Sequence, residues 1–223
     1  MNIERQLIYG KEFSIPSIML IPSNSKGAAV ITHGYGGCKE EQLGLAWRVA
    51  EIGITTCVID LRGHGENDQL LDENVDKDLE IAIQYCKRFG KVVAIGHSLG
   101  GRLSLLSKAD YAIGLSPALN RKFSNQTQET IKALRSYRVK EISPNINFET
   151  LNKLPKLQFT YQKNSEIIFG SRDVPEIIAS CSELKEKGLK VIKIDDAMHN
   201  DIFLQETTFK YIIEQLKDWF QIY

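Results

Sequence analysis

Short, mostly apolar runs of five to seven residues recur along the chain and stop at loops that contain glycine, serine or aspartate. Such runs are typical of strands that are buried on both faces of a sheet. They are Ala28–Thr32, Thr55–Asp60, Lys91–Gly96, Tyr111–Ser116, Glu166–Gly170 and Leu189–Asp195. The opening segment predicts two more strands, Ile3–Gly10 and Glu12–Pro22, joined by a turn at Gly10 and Lys11.

Between these runs, apolar residues lie three and four positions apart, which is the spacing of one face of an α-helix. Leu43, Ala46, Trp47 and Ala50 form such a face in the first predicted helix, and Asn74 is the expected N-cap of the second. The predicted helices span about 43–50, 75–89, 99–108, 175–188 and 209–220. This alternation predicts an α/β fold with a mostly parallel central sheet flanked by helices on both faces.

The stretch from about 120 to 162 interrupts the alternation. Residues 127–138 and 148–154 have helical patterns, and no strand separates them. An insertion after the strand at 111–116 would lie above the carboxyl edge of the sheet, where ligands of such sheets bind. Because the chain has no repeat and no long linker, we expect one domain over 1–223 with a small helical cap at about 120–162.

Composition narrows the class of partner. The 223 residues include 28 basic and 28 acidic side chains, so a formal net charge of zero does not favour nucleic acid. No apolar run approaches the roughly 20 residues of a membrane span, and the N-terminus does not resemble a signal peptide. The four cysteines, which have no C-x-x-C spacing, predict reduced thiols. We therefore expect a cytoplasmic protein that does not insert into a membrane.

The segment Gly96-His97-Ser98-Leu99-Gly100 has the form G-x-S-x-G. It follows a predicted strand and precedes a predicted helix, which is the setting of a nucleophile elbow. A tight turn needs very small residues two positions before and after the serine, and Gly96 and Gly100 meet that need. A plain glycine-rich turn is the simpler alternative.

With GHSLGG at 96–101, HGYGG at 33–37 and a downstream aspartate followed by a histidine, the chain resembles the α/β-hydrolase family. The resemblance covers most of the chain. It implies a serine hydrolase in which Ser98 is the nucleophile, with no cofactor.

The resemblance also assigns the loop after Ala28–Thr32. It implies that the backbone N–H groups of Tyr35 and Leu99 form an oxyanion hole, with His33 and Gly34 beside it. His64, in another loop at this edge, is expected to support the site. A phosphate-binding loop is the alternative for this glycine-rich segment, but neither G-x-x-x-x-G-K-[ST] nor G-x-G-x-x-G fits.

His199 follows the last predicted strand and is the expected general base, since a free imidazole titrates near neutral pH. The resemblance places the acid at Asp173, in the pattern G-x-x-D that begins at Gly170. Asp195 and Asp196 compete because they are nearer to His199 in sequence, although triad members normally come from separate loops.

The four histidines lack H-x-H and H-E-x-x-H spacing, so we expect no metal. The predicted activity is cleavage of small to medium esters, with thioesters and amides left open. Acyl transfer, peptide cleavage and a non-catalytic binding role on the same fold are the alternatives. Six basic residues of the insertion could favour an anionic substrate, or could simply form a solvated helix face: Arg121, Lys122, Lys132, Arg135, Arg138 and Lys140.

Overall fold

A computed structural model describes residues 1–157 and 164–223, so the last residues of the predicted cap, 158–162, lie outside the described residues. Within the described residues, eight strands form one sheet in the order β1-β2-β4-β3-β5-β6-β7-β8. Strands β1 and β2 form an antiparallel hairpin, β2 pairs antiparallel with β4, and the remaining pairs are parallel. The strands are β1 Asn2–Tyr9, β2 Ser14–Ile21, β3 Ala28–Thr32, β4 Thr55–Ile59, β5 Val92–His97, β6 Tyr111–Leu115, β7 Ser165–Arg172 and β8 Val191–Met198.

Helices cover both faces of the sheet, as predicted. The apolar runs are explained by this arrangement, because Val30 of β3 packs with one buried cluster and its neighbour Ile31 packs with another. The first cluster includes α2 and α3, and the second includes α1 and α7. The helices are α1 Leu43–Glu51, α2 Val75–Cys86, α3 Leu99–Leu106, α4 Asn125–Arg135, α5 Ile146–Lys153, α6 Pro175–Glu186 and α7 Glu206–Phe220.

Two local predictions differ from the structure. Trp47 is 44% exposed, because the buried face of α1 is made by Leu45, Ala46, Val49 and Ala50. Its indole N–H donates to Glu51 Oε1 at the surface, 3.0 Å away. The buried face of α1 therefore includes Leu45 and Val49 in place of the predicted Trp47.

The second difference concerns Asn74. It precedes α2, as expected for an N-cap, but its side chain accepts no capping hydrogen bond from the helix. The Asn74 amide group instead donates to Asp72 Oδ2, 3.3 Å away. The carboxylate of Asp72 also accepts from the Asn74 backbone N–H at 2.8 Å, so this pair forms a local turn before the helix.

The insertion between β6 and β7 contains α4 and α5, which confirms its helical character. Arg102 of α3 is buried beneath it and donates to the backbone carbonyl oxygens of Ala118, Asn120, Leu154 and Pro155. These carbonyls belong to the segments that lead into and out of the insertion. Burial lowers the pKa of the Arg102 guanidinium to about 10, which leaves it charged at neutral pH. Arg102 therefore fixes the insertion to the sheet.

Candidate active site

Ser98 lies at the junction of β5 and α3, where the chain turns sharply. Its backbone has φ +53° and ψ −110°, a conformation that residues other than glycine rarely adopt. The Ser98 N–H donates to the carbonyl oxygen of Leu115 on β6 at 2.8 Å, and the Ser98 carbonyl accepts from Ala118 N–H at 3.0 Å. Bonds from the neighbouring strand thus hold the strained residue in place.

The elbow tolerates only glycine at the positions two before and two after the serine. A Cβ atom at Gly96 would lie 2.2 Å from the carbonyl oxygen of Gly100. A Cβ atom at Gly100 would lie 2.5 Å from the carbonyl oxygen of His33 and 2.5 Å from Thr32 Oγ1. Because a backbone carbonyl oxygen takes part at both positions, rotation of the Thr32 side chain alone could not relieve the overlaps. The spacing argument made from the sequence therefore has a steric basis.

Ser98, His199 and Asp173 form one hydrogen-bonded chain. His199 Nε2 lies 3.1 Å from Ser98 Oγ, and His199 Nδ1 lies 2.7 Å from Asp173 Oδ1. The carboxylate only accepts, so Nδ1 carries the proton and Nε2 presents its lone pair to the serine hydroxyl. Such an arrangement can remove a proton from the hydroxyl.

Asp173 is held by several donors besides His199. The Val174 N–H donates to Oδ1 at 2.7 Å, and the buried Ser116 hydroxyl donates to Oδ2. Burial raises the pKa of the carboxyl, but the bonds from His199, Ser116 and Val174 outweigh it and the pKa is lowered. Asp173 is therefore ionised at neutral pH.

Sequence reasoning missed Ser116. It directly follows β6, and its φ of +45° is unusual for a serine. The available signal was its place at the end of the predicted strand Tyr111–Ser116, since the carboxyl ends of parallel strands meet at one edge of the sheet.

The competing aspartates do not reach His199. Asp195 points to the surface, where its side chain is 85% exposed and 3.6 Å from Lys193. Asp196 is also exposed, and its backbone N–H donates to Ser171 Oγ at 2.8 Å. The loop after β7, rather than the strand next to the histidine, supplies the carboxylate.

The loop at 33–37 passes directly over the elbow. A Cβ atom at Gly34 would lie 3.0 Å from Ser98 Cβ, so the backbone approaches the serine as closely as a glycine permits. Tyr35 follows it and lines the same cavity as Leu99. The Tyr35 hydroxyl donates to Glu141 Oε1 at 2.7 Å, which connects this loop to the insertion.

Comparison with known proteins addresses the fold. Residues 29–118 match a family model described as the alpha/beta hydrolase fold. The alpha/beta hydrolase GrgF from Penicillium sp. superposes with a TM-score of 0.76 at 14% identity, covering 99% of this chain and 98% of that one. A search of curated proteins by sequence finds no match. The protein has the α/β-hydrolase fold.

Two other solved structures agree. Est1E from Butyrivibrio proteoclasticus, solved with bound ferulic acid, has a TM-score of 0.72 and 21% identity over 96% of this chain and 97% of that one. An esterase from Pyrobaculum calidifontis has a TM-score of 0.71 and 17% identity over 100% of this chain and 87% of that one. At these identities the likeness establishes the α/β-hydrolase fold, and the resemblance inferred from the sequence is confirmed at that level.

In this α/β-hydrolase-fold protein, His33 and His64 are both buried, and their hydrogen bonds are to backbone atoms rather than to Ser98 or His199. The Leu61 N–H donates to His33 Nε2 at 3.2 Å, so His33 Nδ1–H donates to the Gly34 carbonyl at 2.8 Å. His64 Nδ1 lies 2.9 Å from the Arg62 carbonyl, and the two imidazole rings are 4.9 Å apart. Burial lowers the pKa of both imidazoles, that of His64 to about 3, so both are neutral braces.

A buried ion pair holds the segment that follows the loop at 33–37. No sequence pattern indicated this pair. Lys39 is 1% exposed, and its Nζ lies 2.7 Å from Asp60 Oδ2 and 2.8 Å from Glu66 Oε2. Burial alone would lower the pKa of Lys39, but these carboxylates raise it. A buried charge held by partners fixes the segment after Gly37 to the loop at 60–66.

A cavity of about 150 Å³ opens beside Ser98 and His199. Its walls are mainly apolar and come from the elbow, from α4 and α5 of the insertion, and from α6. They include Leu99, Phe123, Ile131, Phe148, Leu151 and Ile177. Among residues 1–157 and 164–223, no three His, Cys, Asp or Glu side chains are grouped as metal ligands, and no helix is long and apolar enough to cross a membrane.

Proposed function

We propose that the protein is a serine hydrolase that cleaves esters of small to medium acyl groups. The observation that carries this proposal is the hydrogen-bonded chain from Ser98 through His199 to Asp173 at the floor of a largely apolar cavity. A hydroxyl, an imidazole and an ionised carboxylate in this order are the parts of nucleophilic acyl transfer.

In the first half of the proposed reaction, Ser98 Oγ bonds to the acyl carbon while its proton moves to His199 Nε2. The carbonyl π electrons move to oxygen, and the backbone N–H groups of Tyr35 and Leu99 stabilise the resulting oxyanion. Asp173 stabilises the imidazolium without taking its proton. The bond to the leaving group then breaks, and His199 returns the proton to the departing alcohol.

In the second half, water takes the place of the alcohol. His199 removes a proton from water, the oxygen attacks the acyl carbon, and the bond to Ser98 Oγ breaks. The serine recovers its proton and the carboxylic acid leaves. Thioesters and amides enter the same cycle, so the leaving group is not fixed by these residues.

The test combines covalent labelling with turnover. A fluorophosphonate should label Ser98, and p-nitrophenyl esters of two to eight carbons should be hydrolysed. Ser98→Ala should abolish labelling and lower kcat about a millionfold, the loss that removal of a serine nucleophile causes in subtilisin. The matched control is Ser104→Ala in α3, which removes a buried hydroxyl that has no hydrogen-bond partner among the described residues. Absence of labelling and of hydrolysis in the wild type would favour the non-catalytic alternative.

A further inference from the structure

Asn147 places a buried carboxamide in the wall of the cavity. It belongs to the first turn of α5, is 4% exposed and lines the cavity together with Phe148 and Leu151. Its Oδ1 atom is buried and makes no hydrogen bond to any part of the chain that the structure describes. A polar group thus lies between two apolar side chains of the cavity wall, Phe148 and Leu151, near the serine.

A buried amide oxygen without a partner is energetically unfavourable. Burial of an amide without a partner costs on the order of 1–3 kcal/mol, and a native protein rarely tolerates it without a reason. Within residues 1–157 and 164–223, several other buried side-chain atoms lack a partner, but Asn147 is the residue among them that lines this cavity. Because Oδ1 has almost no accessible surface, a ligand in the cavity supplies the missing partner once the Asn147 side chain rotates toward it.

We propose that Asn147 determines specificity for substrates that carry a hydroxyl group on the part that enters the cavity. This inference rests on the proposed esterase function. A hydroxyl donates to Oδ1 and accepts from Nδ2, so it satisfies the carboxamide in either orientation of the amide. A carboxylate has no donor and would leave Oδ1 unpaired.

The aromatic rings of the cavity suit the carbon skeleton of such a substrate. Phe123 and Phe148 pack edge to face with ring centroids 5.8 Å apart. They provide apolar contact, which favours an alkyl or aryl body, while Asn147 reads one polar substituent. Selection then comes from the cost of leaving the carboxamide unpaired, which a purely apolar acyl group cannot avoid.

The experiment uses matched pairs of esters. p-Nitrophenyl hydroxyphenylpropionate is compared with methylphenylpropionate, and p-nitrophenyl hydroxyhexanoate with heptanoate. A second series places the hydroxyl on the alcohol side, as the monoacetate of butanediol against pentyl acetate. In at least one series, kcat/KM of the wild type should be about tenfold higher for the hydroxylated member.

Asn147→Leu should remove that preference, so that the ratio of kcat/KM within each pair falls to about one. Its Tm should not fall, because the variant replaces an amide whose oxygen is unpaired by an apolar group of similar size, whereas a structural role for Asn147 would lower it. The control is Asn152→Leu, on the exposed side of the same helix, which should keep the preference.

The outcomes separate the two proposals. Hydrolysis without any hydroxyl preference, or a preference that survives in Asn147→Leu, overturns the specificity proposal and leaves the esterase proposal intact. No hydrolysis of any ester, together with no labelling of Ser98, overturns both.

Discussion

His97 Nε2–H donates to the backbone carbonyl oxygen of His199 at 2.7 Å. The residue that precedes the proposed nucleophile thus holds the backbone of the proposed base. The centroids of the His97 and His199 rings are 4.8 Å apart. The ring of Phe203, which follows His199 in the chain, has its centroid 4.7 Å from that of His97. Burial, reinforced by His199, lowers the pKa of His97 well below its usual range, so His97 is neutral with its proton on Nε2.

We expect His97→Phe to lower kcat about fivefold with little change in KM. Phenylalanine retains a ring against His199 and Phe203 but loses the donor, and one lost hydrogen bond is worth about 1 kcal/mol. His97→Gln, which retains an N–H donor, should recover part of the loss. Steady-state kinetics of both variants tests this, and a larger loss in His97→Gln than in His97→Phe would show that ring packing matters rather than the hydrogen bond.

Asp173→Asn should lower kcat about ten-thousandfold while the protein stays folded. The amide can donate to Nδ1 and so favour the wrong imidazole tautomer, as in other enzymes with this arrangement. Ester hydrolysis at neutral pH, with circular dichroism as the folding check, measures the effect. Asp195→Asn is the control, because its exposed side chain does not touch His199. A larger loss in the control would reassign the acid.

Replacement of two helical glycines by alanine should change the free energy of unfolding in opposite directions. Gly100→Ala forces a Cβ atom to 2.5 Å from the His33 carbonyl oxygen and should destabilise the protein by about 3 kcal/mol or prevent folding. Gly44→Ala in α1 meets nothing closer than 4.0 Å and should stabilise by up to about 1 kcal/mol. Urea unfolding of both variants gives the free energies. Normal stability of Gly100→Ala would contradict the packing described for the elbow.

Buried histidines should make stability depend on pH. The pKa of His64 is lowered to about 3, so between about pH 6 and pH 4 the unfolded chain binds a proton there and the folded chain does not. The free energy of unfolding should therefore fall as the pH falls, by about 1 kcal/mol per pH unit for this residue. Urea unfolding of wild type and His64→Gln measures it.

The His64→Gln curve should be shallower than the wild-type curve below pH 6. Above pH 8 the imidazole is neutral in both states, so the two curves should run parallel there, which provides the internal control. Parallel curves over the whole range would mean that His64 takes up a proton in the folded protein.

Local sequence determined much of this protein. The apolar runs specified the strands, because a strand covered by helices on both faces must be apolar on both. Gly96, Ser98 and Gly100 specified the elbow, because the turn needs small residues at fixed spacing and neighbours along the chain satisfy that need alone. The place of His199 after the last strand followed from the same alternation.

Tertiary structure decided what depends on contacts between distant segments. Sequence spacing left Asp195 and Asp196 as rivals of Asp173, and only the packing of β7 between β6 and β8 brings Asp173 to His199 and adds Ser116. Contacts between distant segments also account for three other features. They leave Trp47 exposed, bury the Lys39–Asp60 pair and leave the amide oxygen of Asn147 unpaired. Each depends on which surfaces meet across the fold, and a residue's sequence neighbours do not fix those surfaces.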